Sequence, residues 1–258
     1  WRPITLKEGV LLHNEIQFKD GESRKIKKEA KNPAINLALH TVKSGGQALI
    51  FAATRKSSVT LAKKTATKIG EILSKPMRRA LEREAERILA AGEKTRISEL
   101  LAELVKCGVA FHHAGLGGAH RKIIEDAFRE GKIKVLTATP TLAFGVNLPA
   151  RTVIIYDYRR YEPGYGYYPI SVLEYKQMSG RAGRPKYDNI GEAVLIARTD
   201  DEANYLMESY VLAKPEHIWS RLAVERILRG HVLATIAADY AHTETGIYEF
   251  FGKTFYAY

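Results

Sequence analysis

Short apolar runs alternate with longer amphipathic segments along most of this chain. The apolar runs predict buried strands, which cover residues 47–53, 108–113, 134–140, 152–158 and 191–197. Between them, apolar residues recur at helical spacing over residues 57–73, 76–106 and 119–131. Residues 10–18 alternate loosely between apolar and polar and lead into the turn signal KDGE.

Strands that alternate with helices predict an α/β fold, a parallel sheet with crossover helices. Ligands bind such sheets at the carboxyl ends of the strands. The loops after Ala53, His113 and Pro140 are therefore the expected binding places. We expect the segment that carries Arg181 and Arg184 at the same edge of the sheet.

Three charged segments complete this pattern. Residues 76–106 carry an apolar stripe that predicts ordinary core packing, and its members are Met77, Leu81, Ala85, Ile88 and Leu89. Residues 23–32 predict a solvated connector or the start of a helix. A further helix is expected to open with Asp200 and Asp201 as its N-cap.

The pattern changes after about residue 203, where strand signals cease and helical spacing continues. We therefore predict two domains, a sheet domain over residues 1–203 and the start of a helical domain over residues 204–258. The chain looks like an excised piece of a longer protein, since it closes on the aromatic stretch FFGKTFYAY.

Composition narrows the functional classes. The formal net charge is +11 and the pI is about 9.5, which favours nucleic acid as a partner over a merely soluble basic surface. No run of eighteen apolar residues occurs, so the sequence predicts no membrane span. The one cysteine, Cys107, fits a reducing compartment and predicts a cytoplasmic location, with a structural role for its thiol.

The stretch QMSGRAGRP, residues 177–185, carries the strongest chemical signal. On a helix, at about 100° per residue, Gln177, Arg181 and Arg184 would fall within about 60° of one another. Two guanidiniums on one stripe match the oxygens of a phosphate. Gly180 and Gly183 would keep the adjacent surface bare, so that a bulky anion could come close, and Pro185 would end the helix. The alternative is two surface arginines in a glycine-rich turn.

Four motifs together resemble those of superfamily 2 helicases. QMSGRAGRP resembles motif VI. The others are TATPTLAFGVNLPA (137–150), similar to motif V in its Ski2-like form, QALIFAATRKS (47–57), similar to motif IV, and FHHAGL (111–116), the short motif that follows it. They occur in the family's order, and both ends of the chain resemble the archaeal HelQ/Hjm type of DNA repair helicase. The resemblance implies a second RecA-like domain followed by part of a winged-helix domain.

The resemblance also implies roles at an ATP site. Arg184 would be the arginine finger on the γ-phosphate, Arg181 would lie beside it, and Gln177 would position the phosphate or the attacking water. Gly145 and Asn147 match positions near the nucleotide, although many relatives carry aspartate where Asn147 stands. ATP and Mg²⁺ would be bound jointly with the first RecA-like domain of the same parent chain.

Other positions match contacts to nucleic acid. Thr139 matches a threonine that contacts a backbone phosphate, with a strand-end cap as the alternative reading. Arg55 would touch the strand's backbone or support motif VI, and the residues do not separate these. His112 and His113 are adjacent on a predicted strand, so they point to opposite faces and predict no metal site.

The segment YRRYEPGYGYYPIS, residues 158–171, is rich in tyrosine and contains a turn signal that favours a β-hairpin. The resemblance implies a wedge at a duplex junction, where an exposed aromatic ring could stack on the last base pair. The candidate contacts are Arg159, Arg160, Tyr161, Tyr165 and Tyr167. The alternative is a hairpin packed against a neighbouring domain.

The chain lacks the motifs of a complete motor. Gly252-Lys253-Thr254 imitates the end of a P-loop, but Ile247 stands where that motif needs glycine. No other Walker A sequence and no DExH box occur. We therefore expect these residues alone neither to hydrolyse ATP nor to unwind DNA.

These features predict the C-terminal half of the motor of an ATP-dependent DNA helicase that acts on single-stranded or forked DNA in repair. A Ski2-like RNA helicase is the nearest alternative. A non-catalytic nucleic-acid-binding module would explain the basic charge but not the glutamine–arginine pattern.

Overall fold

The computed structural model describes residues 4–162, 164, 166–185, 187–216 and 220–257. The chain divides into two compact units, one that ends at Pro215 and one that begins at Glu216. The prediction placed this division after residue 203. The first unit continues further because the chain beyond α8 (Asp200–Leu206) buries Tyr210 and Val211 in that unit's core.

The first unit is built on a sheet of eight strands within the described part of the chain. These are β1 (Thr5–Leu12), β2 (Glu15–Phe18), β3 (Ser23–Lys25), β4 (Ala48–Phe51), β5 (Val109–His112), β6 (Val135–Ala138), β7 (Thr152–Ile155) and β10 (Ile190–Ile196). The order across the sheet is β3-β2-β1-β10-β7-β4-β6-β5. Strands β1, β10, β7, β4, β6 and β5 are parallel, and β2 and β3 extend the sheet in antiparallel fashion. The predicted parallel α/β sheet is confirmed.

Helices connect the strands. They are α1 (Pro33–Lys43), α2 (Arg55–Ile72), α3 (Lys75–Ala90), α4 (Arg96–Lys106), α5 (Gly118–Arg129), α6 (Thr141–Gly145), α7 (Val172–Ser179) and α8, with α9 (Glu225–Ala237) and α10 (Glu244–Gly252) in the second unit. The amphipathic segment over residues 76–106 contains two helices, because Thr95 and Ser98 form a capping box that starts α4. Thr199, one residue before the predicted cap, accepts a hydrogen bond as the N-cap of α8.

The core lies on both faces of the central strands, and every residue of β4, β5, β6 and β7 is buried. Leu81, Ala85 and Ile88 of α3 are buried in the same core, so the predicted packing stripe is confirmed. The strand predicted near residues 10–18 is a pair of strands, because His13 and Asn14 adopt φ angles of 49° and 63° and turn the chain. No helix in the described ranges has the length and apolarity needed to cross a bilayer.

Candidate nucleotide and nucleic-acid sites

The arginine segment is not helical, which corrects the predicted stripe. Helix α7 ends at Ser179, well before Pro185. Beyond it the Ala150 N–H donates to the Arg181 carbonyl at 2.9 Å, and the Gly183 N–H donates to the Ala150 carbonyl at 2.6 Å. These two hydrogen bonds to Ala150 keep the segment out of a helical conformation and separate the two arginines.

Gly183 serves the fold rather than an incoming anion, which corrects a second expectation. Its φ is 91°, a conformation that only glycine adopts without strain. A Cβ built on it would lie 2.7 Å from Cγ2 of Ile4. The bare side of this glycine is therefore filled by the protein itself.

Arg184 is held by two side chains at the amino ends of the sheet strands. Its Nε and Nη2 donate to Oδ2 and Oδ1 of Asp188 at 2.8 and 2.9 Å. Its Nη1 donates to Oε1 of Gln47 at 3.0 Å. Gln47 immediately precedes β4 and Asp188 closely precedes β10. The expectation that this segment lies at the carboxyl edge is therefore wrong for Arg184, because the bridge to Ala150 brings it to the opposite edge.

Asp188 is shared by two arginines. Arg151, which precedes β7, donates from Nε to its Oδ1 at 2.8 Å, and the carboxylate is almost fully buried. Burial raises the pKa of Asp188, but hydrogen bonds from Arg184 and Arg151 outweigh it and bring the pKa to about 2. The aspartate is thus ionised near neutral pH, and this group of two cations and one anion keeps a net positive charge.

Arg181 contacts the segment between β6 and β7. Its Nη1 donates to Oδ1 of Asn147 at 3.0 Å, and its Nη2 donates to the Ala143 carbonyl. Gly145 is the last residue of α6, two positions before Asn147. Burial lowers the pKa of Arg181, although an arginine stays protonated at neutral pH. The structure therefore brings Arg181, Gly145 and Asn147 together.

Gln177 lies on α7 with its Oε1 buried and without a hydrogen-bond partner among the described residues. A buried polar atom in this state is costly unless a ligand or water satisfies it. This side chain therefore has a capacity for hydrogen bonding that the described residues leave unused.

A cavity of about 420 Å³ opens at the amino ends of the strands. Arg184, Gln47, Asn147 and the exposed ring of Tyr187 line it, together with Gly131 before β6. Gln177, Arg181 and Gly145 are not among the described residues that line it. Through this cavity a ligand could reach Arg184 and Gln47, whereas Asp188 and Arg151 line a different cavity.

The carboxyl edge carries Thr139 and Arg55. Thr139 follows β6, is almost fully buried, and pairs its Oγ1 with that of Thr141 at 2.9 Å. Arg55 is the first residue of α2. Burial of His113 is the main cause of its lowered pKa, and the positive charge of Arg55 lowers that pKa further. Arg55 therefore lies on the edge opposite to Arg184.

The predicted hairpin is present as an antiparallel pair, β8 (Arg159–Glu162) and β9 (Gly166–Pro169). Tyr161 and Tyr167 face each other across it with ring centroids 5.2 Å apart, and their side chains are 52% and 60% exposed. Arg160 is paired with Glu174 at 2.8 Å. Tyr165 lies outside the described residues.

A second cavity, of about 360 Å³, opens at the carboxyl edge. Thr54 and Ser57 line it after β4, and Arg159, Tyr167 and Arg198 line it from the hairpin and from the end of β10. The loop after Ala53 was an expected binding place. Arg198 was not predicted from the sequence. It follows β10, and ligands bind parallel sheets at the carboxyl ends of their strands, so its position was an available signal.

The described residues bring no three histidine, cysteine, aspartate or glutamate side chains together in a way that could hold a metal ion. His112 is paired with Glu125, with 2.9 Å between Nε2 and Oε1. His113 accepts a hydrogen bond from the backbone N–H of Gly115 at 3.1 Å. The two histidines thus have separate partners.

Comparisons with known proteins agree with the motif resemblance. Residues 69–186 match the family described as helicase conserved C-terminal domain. Over its whole length the chain is 48% identical to a protein of Methanocella arvoryzae named ATP-dependent DNA helicase Hel308, and it covers 35% of that protein. Proteins with the same name match from Caldivirga maquilingensis, 42% identical with 99% of the chain and 34% of the relative covered, and from Pyrococcus horikoshii, 40% identical with 100% and 34% covered. The chain spans about a third of the length of these curated relatives.

Proposed function

We propose that this chain, which is homologous over its whole length to a segment of the archaeal Hel308 helicases of superfamily 2, is the second RecA-like half of an ATP-dependent DNA helicase motor. The observation that carries the proposal is Arg184, which lines a cavity of about 420 Å³ and shares Asp188 with a second arginine, Arg151. The other wall of the ATP site would come from the first RecA-like domain of the same parent chain.

Arg184 would act on the γ-phosphate. A guanidinium has five N–H donors, and the hydrogen bonds to Asp188 and Gln47 engage three of them among the described residues. Two N–H groups remain to neutralise the negative charge that develops on the phosphate oxygens in the transition state. The proposal needs no release of Arg184 from Asp188.

Arg181 and Gln177 would have supporting roles. Arg181 binds Asn147 and the carbonyl of Ala143, so it fixes the segment after β6 that would lie along the nucleotide. The unsatisfied Oε1 of Gln177 would accept a hydrogen bond from the attacking water when the two domains close. Asn147 lines the cavity and would contact the nucleotide directly.

Mg²⁺ bound with ATP would neutralise phosphate charge during transfer. The described residues offer no carboxylate cluster for it, so its protein ligands would lie in the first RecA-like domain. This chain's own contribution would be the arginine and amide groups.

The carboxyl edge would bind the nucleic acid. Tyr161 and Tyr167 present exposed rings that would stack on the last base pair of a fork, and Arg159, Arg160 and Thr139 would contact backbone phosphates. Arg55 would touch the backbone beside His113. The names of the relatives favour DNA over RNA. Single-stranded and forked DNA in repair would be the substrates.

Two further properties belong to the proposal. Residues 216–258 would begin a winged-helix domain. The single cysteine favours a cytoplasmic location.

Arg184→Ala in the full-length helicase that contains this chain tests the ATP site. We expect the turnover of ATP to fall about 10³-fold or more, with ATP binding largely kept, because the finger stabilises the transition state more than the ground state. The matched control is Arg24→Ala, which removes another partly buried bidentate pair, with Glu192 at 2.7 and 2.6 Å on the same sheet. Normal ATP hydrolysis by Arg184→Ala would remove the assignment of Arg184 as the arginine finger.

A separate measurement on the unmodified protein distinguishes the two nucleic acids. Faster unwinding of RNA forks than of DNA forks would favour an RNA helicase.

A further inference from the structure

We propose that Asp188 is the positioning residue of the Arg184 finger, an inference that rests on the proposed function. No motif quoted from the sequence assigns this aspartate a role. The structure places it against the guanidinium, the backbone and a second arginine at once.

Four hydrogen bonds join Asp188 to Arg184, three of them to the carboxylate. The carboxylate accepts from Nε at 2.8 Å, from Nη2 at 2.9 Å and from the backbone N–H of Arg184 at 3.0 Å. The Asp188 N–H in turn donates to the Arg184 carbonyl at 3.0 Å. One short side chain therefore fixes both the backbone position of the finger and the plane of its guanidinium.

The third side of the guanidinium is held from the sheet. Gln47 accepts from Nη1 through Oε1, and its own Nε2 donates to the carbonyls of Phe128 and Ile133, both at 2.7 Å. Gln47 is buried, so its amide cannot turn freely. Arg184 is thus held on its Nε, Nη1 and Nη2 nitrogens before any ligand arrives.

Arg151 explains how a paired arginine can still serve an anion. A lone aspartate would cancel the charge of Arg184. Arg151 supplies a second positive charge to the same carboxylate, and its Nη1 is anchored to the Ser44 carbonyl at 2.6 Å. The group therefore aims the finger while its three side chains together keep a net positive charge.

The physical benefit is preorganisation. A free arginine has many rotamers, and ordering them during the reaction would raise the barrier. Groups that are fixed in advance around the transition-state charge need no such reorganisation. Loss of Asp188 should therefore lower turnover, while Arg184 itself and its charge remain present.

The test is a double-mutant cycle in the full-length helicase, with Asp188→Asn, Arg184→Ala and their combination. We expect Asp188→Asn to lower kcat for ATP about 10- to 100-fold, with KM changed less than about 3-fold, because a misplaced group costs transition-state stabilisation more than binding. In the Arg184→Ala background the same change should have almost no further effect on kcat. A merely structural role would add fully in both backgrounds.

The matched control is Glu192→Gln, which breaks the bidentate pair between Glu192 and Arg24. Glu192 lies on β10, the strand that follows Asp188. The control variant should lower the melting temperature without lowering kcat. If Asp188→Asn fails to fold, Arg151→Lys takes its place. This variant keeps the positive charge and should lower kcat by a few fold. Unchanged kcat in Asp188→Asn or, where that variant is unfolded, in Arg151→Lys would overturn the inference while Arg184→Ala still loses activity. Unchanged turnover in Arg184→Ala would instead overturn the proposed function.

Discussion

Two groups of one aspartate and two arginines lie at opposite edges of the same sheet. At the amino ends, Arg151 and Arg184 each contact the buried Asp188 at 2.8 Å. At the carboxyl ends, Arg159 and Arg198 contact Asp157 at 3.3 and 3.5 Å. The arginines of this second group are more exposed than Arg184, at 34% and 55% against 15%. From these distances and from the burial of Asp188 we infer that the first group is rigid and the second is loose.

This contrast fits two kinds of chemistry. A fixed group suits a phosphoryl transition state, because it needs no reorganisation as charge develops. A loose group suits a nucleic-acid backbone that must move past it, since salt-dependent contacts to phosphates form and break easily. A four-residue strand such as β6 separates the two edges by roughly 13 Å at about 3.3 Å per residue. The chain from Thr139 to Ala150 runs between them.

The largest effect expected on unwinding separates the two edges by function. Changing Tyr161 and Tyr167 together to alanine removes both exposed rings of the hairpin. Each base stacked on an aromatic ring contributes about 1–3 kcal/mol, so fork unwinding should fall at least 10-fold while DNA-stimulated ATP hydrolysis is kept. The measurement is strand separation and phosphate release on the same fork.

Tyr187→Ala is the matched variant at the other edge, where its exposed ring lies over the Arg184 guanidinium, 5.5 Å from Cζ to the ring centroid. It should change the kinetics of ATP hydrolysis and leave the number of base pairs opened per ATP unaltered. If both sets of variants changed the same step, the division of labour between the edges would be wrong.

The rigid frame of the amino edge depends on Gly191. A Cβ at this position would lie 2.4 Å from the Ala182 carbonyl carbon and from the Gly183 nitrogen. Gly191→Ala should therefore push the arginine segment away from β10 and lower the free energy of unfolding by about 3 kcal/mol. The measurement is denaturant unfolding of the first unit.

Gly145→Ala is the control for this prediction, because a Cβ there has no described neighbour within 4 Å. It should change the free energy of unfolding by less than about 1 kcal/mol. Its ATP kinetics would report separately on the proposed nucleotide contact. Equal stability of Gly191→Ala and the unmodified chain would show that the frame is not rigid.

Acid titration tests the buried carboxylate of Asp188. The pKa of Asp188 is about 2 in the folded chain and about 3.9 when unfolded. Because the folded value is the lower one, its stabilising contribution is present above about pH 4 and is lost as the pH falls toward 2. That contribution is about 2 kcal/mol. The stability difference between the unmodified chain and Asp188→Asn should therefore shrink over this range.

Asp157→Asn provides the matched comparison of stability at pH 7. Its contacts are longer and involve exposed arginines, so the loss of unfolding free energy at pH 7 should be below about 1 kcal/mol. A loss at pH 7 as large as that of Asp188→Asn would contradict the distinction between a rigid and a loose group.

Local patterns predicted the sheet well because its central strands are continuous apolar runs. The charged stretch before α1 was left open as a connector or a helix start, although Asn32 as N-cap and Pro33 at the first position were signals that favour the helix. The helical stripe of arginines was wrong because the bridge from Ala150 to Ala182 joins residues far apart in the chain. Gln47 and Arg151 reach Arg184 and Asp188 only through strand order, which spacing alone does not reveal.

The smallest expected effect is on the salt dependence of binding at the carboxyl edge. Arg159→Gln removes one cation from the loose group, so the affinity for single-stranded DNA should fall similarly for all sequences. The slope of log affinity against log salt should become shallower by about 0.7 if Arg159 contacts one phosphate. Asp157→Asn should act in the opposite direction, because Arg159 and Arg198 lose the carboxylate that competes with the backbone. If Arg184→Gln shifted the slope as much as Arg159→Gln, both edges would bind the strand, and the rigid group could no longer be assigned to the triphosphate alone.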